Sequence, residues 1–459
     1  MASGPFLLVL LVAAIAFIVY MTGKVRMNAF LVLLLAALFV GLLARTPPPI
    51  PSVDAQGNAV PGLLDVIASG FGSTLTSIGI VIVAGTIIGT ILEKTGGALV
   101  LARTMLSLVG RNRAPLAMSL AGYIVSIPVF CDSGFVILSP LNKALAQSSG
   151  ISLGVMGTAL SMGLYATHTM VPPTPGPIAA AGNLGADLGM VILMGLIVSL
   201  PATLAGWIYA MRAGSRFDIR PANVVTYEEL MSRFGRLPST FGSFLPLVAP
   251  ILLIALRSVA MFETAPFGTG PLRNVLVFAG HPIFALLLGV FFAMRLAPEV
   301  NAEVYGDWVA EGITQSAVIL VITAAGGSLG AVLKATGIAD YLGATLAQYR
   351  LGIFLPFIVA AAIKTAQGSS TVALITTSAI VAPLLAGLGL DSTAGRALAT
   401  VAIGAGSMVV SHANDSYFWV VSQFSEMGVS IAYRLQTIGT LITGIVSIAL
   451  ISALAAILL

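Results

Sequence analysis

Residues 167–177, THTMVPPTPGP, stand at the end of an apolar segment that begins near residue 152. Prolines occupy positions 172, 173, 175 and 177, and a helix cannot continue through such a run. The sequence therefore predicts a helix that unwinds here, which frees backbone carbonyls and the N–H groups of the next helix to bind an ion or a carboxylate. The alternative, an ordinary surface loop, is weakened by the recurrence of His168 in the second half of the chain.

The composition places most of this chain in a lipid bilayer. Of its 459 residues, 58% are hydrophobic and only 8% are charged, whereas about a quarter of a soluble domain is charged. So few charges cannot build a water-facing surface, so the bilayer must be the main solvent. Cys131 is the single cysteine, which excludes a disulfide within the chain and a multi-cysteine metal site.

The apolar runs predict an all-α polytopic membrane protein with about ten full crossings and two re-entrant hairpins. A crossing needs about 20 residues, and two apolar blocks with polar centres, 114–147 and 354–388, are predicted to enter and leave on one side. The predicted domains are a first repeat at 1–211, a cytoplasmic linker at 212–241 and a second repeat at 242–459. The predicted crossings are 5–23, 28–45, 77–94, 152–170, 187–211, 242–260, 276–294, 316–334, 396–424 and 433–458.

The basic residues of the loops predict the orientation. Residues 212–236 contain five arginines, and Lys24 and Arg26 mark a second basic loop. Cytoplasmic loops carry an excess of lysine and arginine, so both loops are expected in the cytoplasm. The proline-rich stretch 46–61, which has no lysine or arginine, is then expected outside, together with both termini.

The two halves of the chain share landmarks in the same order. Gly85 and Gly89 recur as Gly326 and Gly330, a shift of 241 positions (326 − 85). Residues 126–141 match residues 369–384, and His168 matches His412. Five predicted crossings in each half make the halves inverted copies, and such repeats put a binding site near the middle of the membrane, where broken helices meet.

Asp132 lies in the first predicted hairpin, within FCDSG at 130–134, and apolar stretches flank it on both sides. A carboxylate at membrane depth must be protonated, paired or solvated by a cavity. Asp132 is therefore predicted to bind a coupled proton. The alternative is a structural aspartate that caps the second helix of the hairpin.

The second hairpin carries the polar run KTAQGSST at 364–371. Its glycine permits a tight turn, and three hydroxyl residues start the next helix beside a cation, an arrangement that binds anions. Lys364 is either that cation or a lysine that extends to the membrane interface. The hydroxyl residues are either ligands or ordinary helix caps.

The run SHANDSY at 411–417 is polar at six of its seven positions and lies between apolar segments. It is either part of the site or a water-exposed loop. A histidine can change charge near neutral pH, which suits His168 and His412 to a proton relay. Each can equally be a hydrogen-bonded packing residue.

No enzyme signature is present: the sequence has no HExxH pair, no GxSxG elbow and no nucleotide loop after a strand. We therefore expect no catalytic activity, no cofactor, no metal and no nucleic-acid partner. An ion gradient is the expected energy source.

Three long runs resemble the gluconate permease (GntP) family of proton symporters. They are FCDSGFVILSPL (130–141), ATHTMVPPTPGPIAAAG (166–182) and GAGSMVVSHANDSYFWVVSQF (404–424). The resemblance covers essentially the whole chain. It implies import of gluconate or a related aldonate, or of D-serine, across a bacterial inner membrane. It also implies the architecture of the ion transporter superfamily, with two hairpins and two unwound helices around the substrate, in a homodimer with a moving transport domain.

The expected mechanism is proton symport of a small organic anion whose carboxylate binds at residues 369–371, with Asp132 or Asp415 taking the proton. Two rival hypotheses remain: a proton- or sodium-coupled carrier of the same architecture for another small carboxylate, such as D-serine or a dicarboxylate, and a membrane-embedded enzyme or channel. The candidate substrate-binding residues are Ser133, Thr167, His168, Thr169, Thr174, Gln367, Ser369, Ser370, Thr371, His412, Asn414 and Ser416.

Overall fold

A computed structural model describes residues 4–53, 57–222, 236–261, 266–299, 301–337, 352–413 and 415–459. Within these ranges the chain is helical except for connections and one short antiparallel ribbon. In that ribbon β1 (Ser52–Val53) pairs with β2 (Ala59–Val60), and Ser52 lies opposite Val60. The ribbon lies in the proline-rich connection that the sequence places outside the cell.

Nine α-helices precede the basic linker in the part of the chain that the structure describes. A π-helical turn at Tyr20–Lys24 extends the first of them, and another at Ala210–Gly214 extends the ninth. The helices are α1 (Gly4–Val19), α2 (Ala29–Ala44), α3 (Leu63–Lys94), α4 (Gly97–Val109), α5 (Ala114–Val125), α6 (Cys131–Ser149), α7 (Leu153–Met170), α8 (Pro175–Leu184) and α9 (Leu188–Tyr209).

Ten α-helices follow the linker among the described residues. π-Helical turns precede two of them, at Val304–Trp308 and Tyr433–Thr437. The helices are α10 (Thr240–Ala260), α11 (Pro271–Ala279), α12 (Pro282–Met294), α13 (Val309–Ala335), α14 (Phe354–Gln367), α15 (Ser370–Val381), α16 (Thr393–Gly406), α17 (Ser416–Phe424), α18 (Val429–Ala432) and α19 (Ile438–Leu458).

Six helical segments of the described chain are long and apolar enough to cross a membrane, and a seventh is counted if α11 and α12, bent by 63°, form one span. The predicted count of ten is therefore not confirmed. The predicted crossing 396–424 is wrong as a continuous helix, because the chain leaves helical structure between α16 and α17. The predicted crossing 276–294 is likewise broken, at Gly280 and His281.

Helix α3 begins at Leu63, fourteen residues before the predicted start at 77 (77 − 63). The sequence there contains Ser73, Thr74, Thr76 and Ser77, which look unfavourable in an apolar helix. Their hydroxyls donate to carbonyls three or four residues back, such as Thr74 Oγ1 to Gly70 O at 2.9 Å. Because these bonds satisfy the polar side chains within their own helix, the helix continues through them.

The two predicted hairpins each consist of two helices around a break. In the first, α5 and α6 flank residues 126–130, and in the second, α14 and α15 flank Gly368 and Ser369. The predicted unwinding after residue 170 also occurs, between α7 and α8. The polar runs therefore marked the breaks correctly. Helix α4, which precedes the first hairpin, was not predicted.

Helix α3 supports two of these breaks on adjacent turns. A methyl group at Gly85 would lie 2.7 Å from the carbonyl oxygen of Pro173, and one at Gly89 would lie 2.5 Å from that of Pro128. Only glycine allows backbone to approach this closely. The break after α7 and the break of the first hairpin are thus both packed on one face of α3.

The order of helices in the first half recurs in the second. The segments Leu63–Lys94 and Val304–Ala335 each contain 32 residues. In both halves this long helix precedes the broken hairpin, then a helix that ends in a break and a shorter helix, and finally a long apolar helix. This order agrees with the landmarks shared by the two halves of the sequence.

Candidate functional site

A buried ion pair lies where the second hairpin meets the break between α16 and α17. Lys364, in the last turn of α14, places Nζ 2.6 Å from Oδ2 of Asp415, the N-cap residue of α17. The two side chains are 0% and 4% exposed. Lys364 Nζ also donates to the Gly368 carbonyl. Of the two alternatives for Lys364, extension to the membrane interface is excluded, because the lysine is buried and paired with Asp415 inside the protein.

Asp415 is fully engaged by neighbours from three elements. Its Oδ2 accepts hydrogen bonds from Ser411 Oγ at 2.5 Å and from the Tyr165 hydroxyl of α7 at 3.3 Å, and its Oδ1 accepts from the Tyr417 N–H at 3.0 Å. A buried ion pair is tolerated only when such additional bonds satisfy the remaining lone pairs. The charged pair is thus held in a polar network between the two halves of the chain.

Asp132 is the second carboxylate of this region. It lies in the first turn of α6, partly buried, with Oδ2 3.7 Å from the Cys131 thiol sulfur. It is close enough for its charge to interact with those of Asp415 and Lys364. The N-cap of α6 is Phe130, so the alternative interpretation of Asp132 as the cap of this helix does not hold. Ser133, the next residue, is also partly buried.

His168 lies in the last turn of α7, 4% exposed, against the rings of Phe130 and Tyr165 at 5.9 Å and 6.5 Å between centroids. Its Nδ1 has no hydrogen-bond partner among the residues that the structure describes. Buried polar atoms usually have a hydrogen-bond partner, so this nitrogen is an exception.

Three predicted ligands around His168 are used by the backbone instead. Thr167 Oγ1 and Thr169 Oγ1 donate to carbonyls one turn back in α7, and Thr174 Oγ1 donates to the His168 carbonyl at 3.0 Å and the Val171 carbonyl at 2.7 Å. Thr174 thus satisfies carbonyls that the helix break leaves free. We conclude that these hydroxyls are hydrogen-bonded to carbonyls of α7 and of the break that follows it.

The tip of the second hairpin reaches the start of α8. Gly368 adopts a left-handed conformation at φ +92°, which favours glycine, and Ser369 Oγ caps α15 by accepting from the Val372 N–H at 3.3 Å. Thr371 Cα would lie 3.8 Å from a methyl group placed on Gly176. Ser370 is 8% exposed and hydrogen-bonds the Tyr165 side chain. The structure therefore brings together the polar runs at 167–177 and 364–371.

The residues of the polar run at 411–417 lie in different environments, some buried and some exposed. His412 Nε2 lies 2.9 Å from the Thr365 carbonyl, which links this run to α14. Ser416 is exposed, so the structure does not direct it into the buried cluster. Asn414 and the Gln367 side chain lie outside the described part of the chain. Two buried residues of this run were omitted from the predicted site: Ser411, whose hydroxyl donates to Asp415, and Tyr417.

Two cavities lie near the C-terminal ends of helices on the other side of the fold: both at the end of α8, and the larger one also at the end of α15. Their volumes are about 700 Å³ and 540 Å³, and both are lined by Gly182, Asp391 and Arg396. Lys334 and Asn183 line the larger cavity. Neither cavity is lined by Lys364 or Asp415. Both cavities are lined by charged side chains of opposite sign, Arg396 and Asp391.

The sequence reasoning missed the ion pair itself, together with Tyr165 and Tyr417. Tyr165 lies three residues before His168, a spacing that places both on one face of a helix, and this could have been recognised. The pairing of Lys364 with Asp415 joins residues 51 positions apart, and no local pattern reports such a contact.

Long apolar helices, two broken hairpins and a charged cluster buried among helix breaks define a multi-pass membrane transporter. The sequence model of a known protein family, described as GntP family permease, matches residues 6–458. The chain belongs to this family, and its relatives are permeases and not enzymes. It is 35% identical to an uncharacterized permease of Haemophilus influenzae (93% of this chain, 87% of the relative) and 34% identical to a gluconate permease of Pseudomonas aeruginosa (100% and 99%).

Relatives with other printed substrates match over similar lengths. The Gnt-II system L-idonate transporter of Escherichia coli is 30% identical over 94% of this chain and 95% of its own length, and the D-serine transporter DsdX of Escherichia coli is 30% identical over 96% of both. Among solved structures, the YdaH transporter of Alcanivorax borkumensis matches with a TM-score of 0.67 at 15% identity, over 94% of this chain and 99% of that one. At this identity the likeness concerns the fold alone.

Proposed function

We propose that this transporter imports gluconate or a related sugar acid in symport with protons across the bacterial inner membrane. The observation that carries the proposal is the Lys364–Asp415 pair, with Asp132 nearby, buried where the broken elements of both halves meet. An intramembrane charge is costly and is kept for function. A cation suits an anionic substrate, and a carboxylate that can become neutral suits a coupled proton.

The substrate carboxylate is proposed to bind at the tip of the second hairpin, where Ser369 starts α15. The N-terminus of a helix attracts anions through its free N–H groups. The sugar hydroxyls would then be recognised by residues of the other breaks, including Ser133, His168 and Asn414. Asp132 or Asp415 would take the proton.

The proposal extends to the architecture. Two halves with the same helix order are proposed to be inverted repeats that face each other at the site, and the linker at 212–241 is proposed to lie in the cytoplasm. A homodimer in which one domain moves against another is proposed from the family resemblance. Chemical crosslinking of the protein in native membranes tests the dimer.

Uptake into proteoliposomes tests the coupling. Labelled gluconate is expected to accumulate when the lumen is more alkaline than the medium, and a protonophore is expected to abolish the accumulation. A sodium gradient at equal pH serves as the comparison. Accumulation driven by sodium alone would contradict proton coupling, and the absence of saturable counterflow would contradict a carrier.

A second candidate substrate is D-serine, because Asp132 has no cation within salt-bridge distance among the described residues. A free carboxylate beside a paired lysine suits an amino acid, whose ammonium and carboxylate need both signs of charge. Competition against labelled gluconate by idonate, D-serine and dicarboxylates distinguishes the candidates. Stronger competition by D-serine than by idonate would favour the amino acid.

A further inference from the structure

We propose that Lys364 is the receptor for the substrate carboxylate, and that Asp415 occupies this receptor in the empty transporter and leaves it by taking the coupled proton. The inference rests on the proposed function and specifies which atoms carry the coupling. In this scheme a substrate carboxylate replaces Asp415 Oδ2, now 2.6 Å from Lys364 Nζ. Asp415 then becomes a neutral acid beside the bound anion.

The geometry around Lys364 supports its role as receptor. An ammonium has three donors, and those of Lys364 serve Asp415 and the Gly368 carbonyl among the described residues. Gly368 and Ser369 follow directly and start α15. A carboxylate on Lys364 is therefore beside the N–H groups of that helix, so two independent anion-binding features converge on one position.

The charge balance supplies the reason for a proton. The empty pair is neutral, and an added carboxylate would leave one uncompensated negative charge in a buried place. Two carboxylates that share one site cannot both remain ionised without a large penalty. One proton for each monoanion restores neutrality, and this sets the stoichiometry of the symport at one proton for each substrate anion.

Asp415 can accept that proton because of its hydrogen-bond partners. Oδ2 contacts the hydroxyls of Ser411 and Tyr165. A hydroxyl can donate or accept, so it can reverse its role when the carboxylate becomes an acid. Oδ1 stays bonded to the Tyr417 N–H in either form. Protonated Asp415 can therefore donate to one of these hydroxyls and still accept from the Tyr417 N–H.

Other titratable groups face this pair and must be separated from it by experiment. Asp132 is the main competitor for the proton, since it is near enough to feel both charges. The groups of the neighbouring elements are Cys131 and Asp132 of α6, Tyr165 and His168 of α7, His412 of the break and Tyr417 of α17.

Equilibrium binding of labelled gluconate to purified protein between pH 5.5 and 8.5 tests the inference. In wild-type protein the dissociation constant for gluconate is expected to rise as the pH increases, by up to about tenfold per pH unit, because binding takes up one proton. Asp415→Asn, which mimics the protonated acid, is expected to bind at all these pH values with a flat profile. Asp132→Asn is expected to keep the slope.

The receptor is tested with gluconamide, the uncharged analogue of gluconate. Wild-type protein is expected to prefer the acid, and Lys364→Gln is expected to reduce that preference on the order of 10- to 100-fold. Since Lys364→Gln leaves Asp415 buried without its cation, the double variant Lys364→Gln with Asp415→Asn provides a folded reference, checked by thermal melting and gel filtration.

The outcomes separate the inference from the proposed function. If wild-type protein shows no uptake of gluconate driven by a pH gradient, the proposed function fails. If wild-type uptake is present but Asp415→Asn keeps the wild-type slope, or Asp132→Asn flattens it instead, the inference alone is overturned. A double variant that folds and still prefers gluconate over gluconamide also overturns it.

Discussion

Lys364 and Asp415 are the residues on which the proposals depend, and their burial makes each dependent on the other. At exposures of 0% and 4%, neither charge has access to water as a substitute partner. Removing one member of a buried pair leaves an uncompensated charge, which is more damaging than removing both. This asymmetry can be measured as stability, independently of transport.

We predict that Lys364→Met destabilises the protein by about 3–5 kcal/mol, and that adding Asp415→Asn restores part of the loss. The physical reason is that the double variant contains no buried charge at this position. Thermal melting of the two single variants and the double variant measures the coupling. Additive losses would contradict a direct energetic interaction between the two side chains.

Glu426 provides a residue-scale test at the edge of the membrane domain. It lies in the loop after α17, and its carboxylate accepts from Lys143 Nζ at 2.7 Å and from the Ala222 N–H at 3.0 Å. Burial alone would raise the pKa of Glu426, but these two hydrogen bonds and the Lys143 charge outweigh it and hold the pKa below its ordinary value.

A group with a lowered pKa stabilises the folded state above its unfolded pKa, and this contribution is lost as the pH falls through the folded pKa. Glu426→Gln is therefore predicted to lower stability at pH 7 by about 1 kcal/mol or less, since the pair is partly exposed, and by less at pH 4. Melting temperatures at both pH values measure this. Asp218→Asn, in a pair that is largely exposed, is the control and should change little.

Residue-scale chemistry was only partly predictable from the sequence. Asp132, His168 and Asp415 were selected as candidates because a charged or titratable residue between apolar stretches is unusual. The pairing of Lys364 with Asp415 was not predicted, because Lys364 lies at a helix end, where a lysine side chain ordinarily extends to the membrane interface. Choosing between these roles requires the distance between two segments, which only the packed structure provides.

At the scale of elements, the breaks were predicted better than the helices. Proline, glycine and clustered polar residues have local backbone effects, so the break after α7 and both hairpin breaks are visible in the sequence. The length of a helix, by contrast, depends on whether its polar side chains find hydrogen-bond partners. The hydroxyls at the start of α3 bond within their own helix, which hydropathy alone does not report.

Close packing of α7 on α5 gives a prediction for an element. A methyl group at Gly163 would lie 1.9 Å from the Ser119 carbonyl oxygen. Gly163→Ala must therefore push α7 away from α5, and overpacking of this kind costs about 1–3 kcal/mol. We expect a lower melting temperature and weaker substrate binding, since α7 carries Tyr165 and His168.

Gly72→Ala is the matched control for that substitution. Gly72 lies in α3, and an added methyl group meets nothing within 4 Å. Alanine is more favourable than glycine inside a helix by about 0.5–1 kcal/mol, so this variant should be as stable as wild type or more so. A loss of stability in Gly72→Ala equal to that in Gly163→Ala would contradict the packing argument.

At the scale of the whole molecule, α3 holds two breaks together. Gly85 receives the backbone at Pro173, and Gly89 receives that at Pro128. The elements that carry Asp132 and His168 are thus packed on one long helix. We expect these two breaks to move together in any transport motion, because neither can shift without losing its contact with α3.

The orientation in the membrane is tested with introduced cysteines. Ser52 of the ribbon and Ser215 after the arginine-bearing end of α9 are both exposed, and the native Cys131 is buried. A membrane-impermeant maleimide is predicted to label Ser52→Cys in intact cells and Ser215→Cys only after permeabilisation. Wild-type protein is the unlabelled control, and the reverse pattern would invert the proposed orientation.

The ion pair also determines what kind of energy the carrier can use. If one carboxylate replaces Asp415 on Lys364 and one proton neutralises Asp415, a sugar-acid monoanion and its proton cross together without moving net charge. The membrane voltage then does no work on the cycle, and the pH difference alone sets the limit of accumulation, at about tenfold per pH unit. A zwitterion carried with a proton would instead be drawn inward by an interior-negative potential, so a voltage jump alone would distinguish the two kinds of cargo.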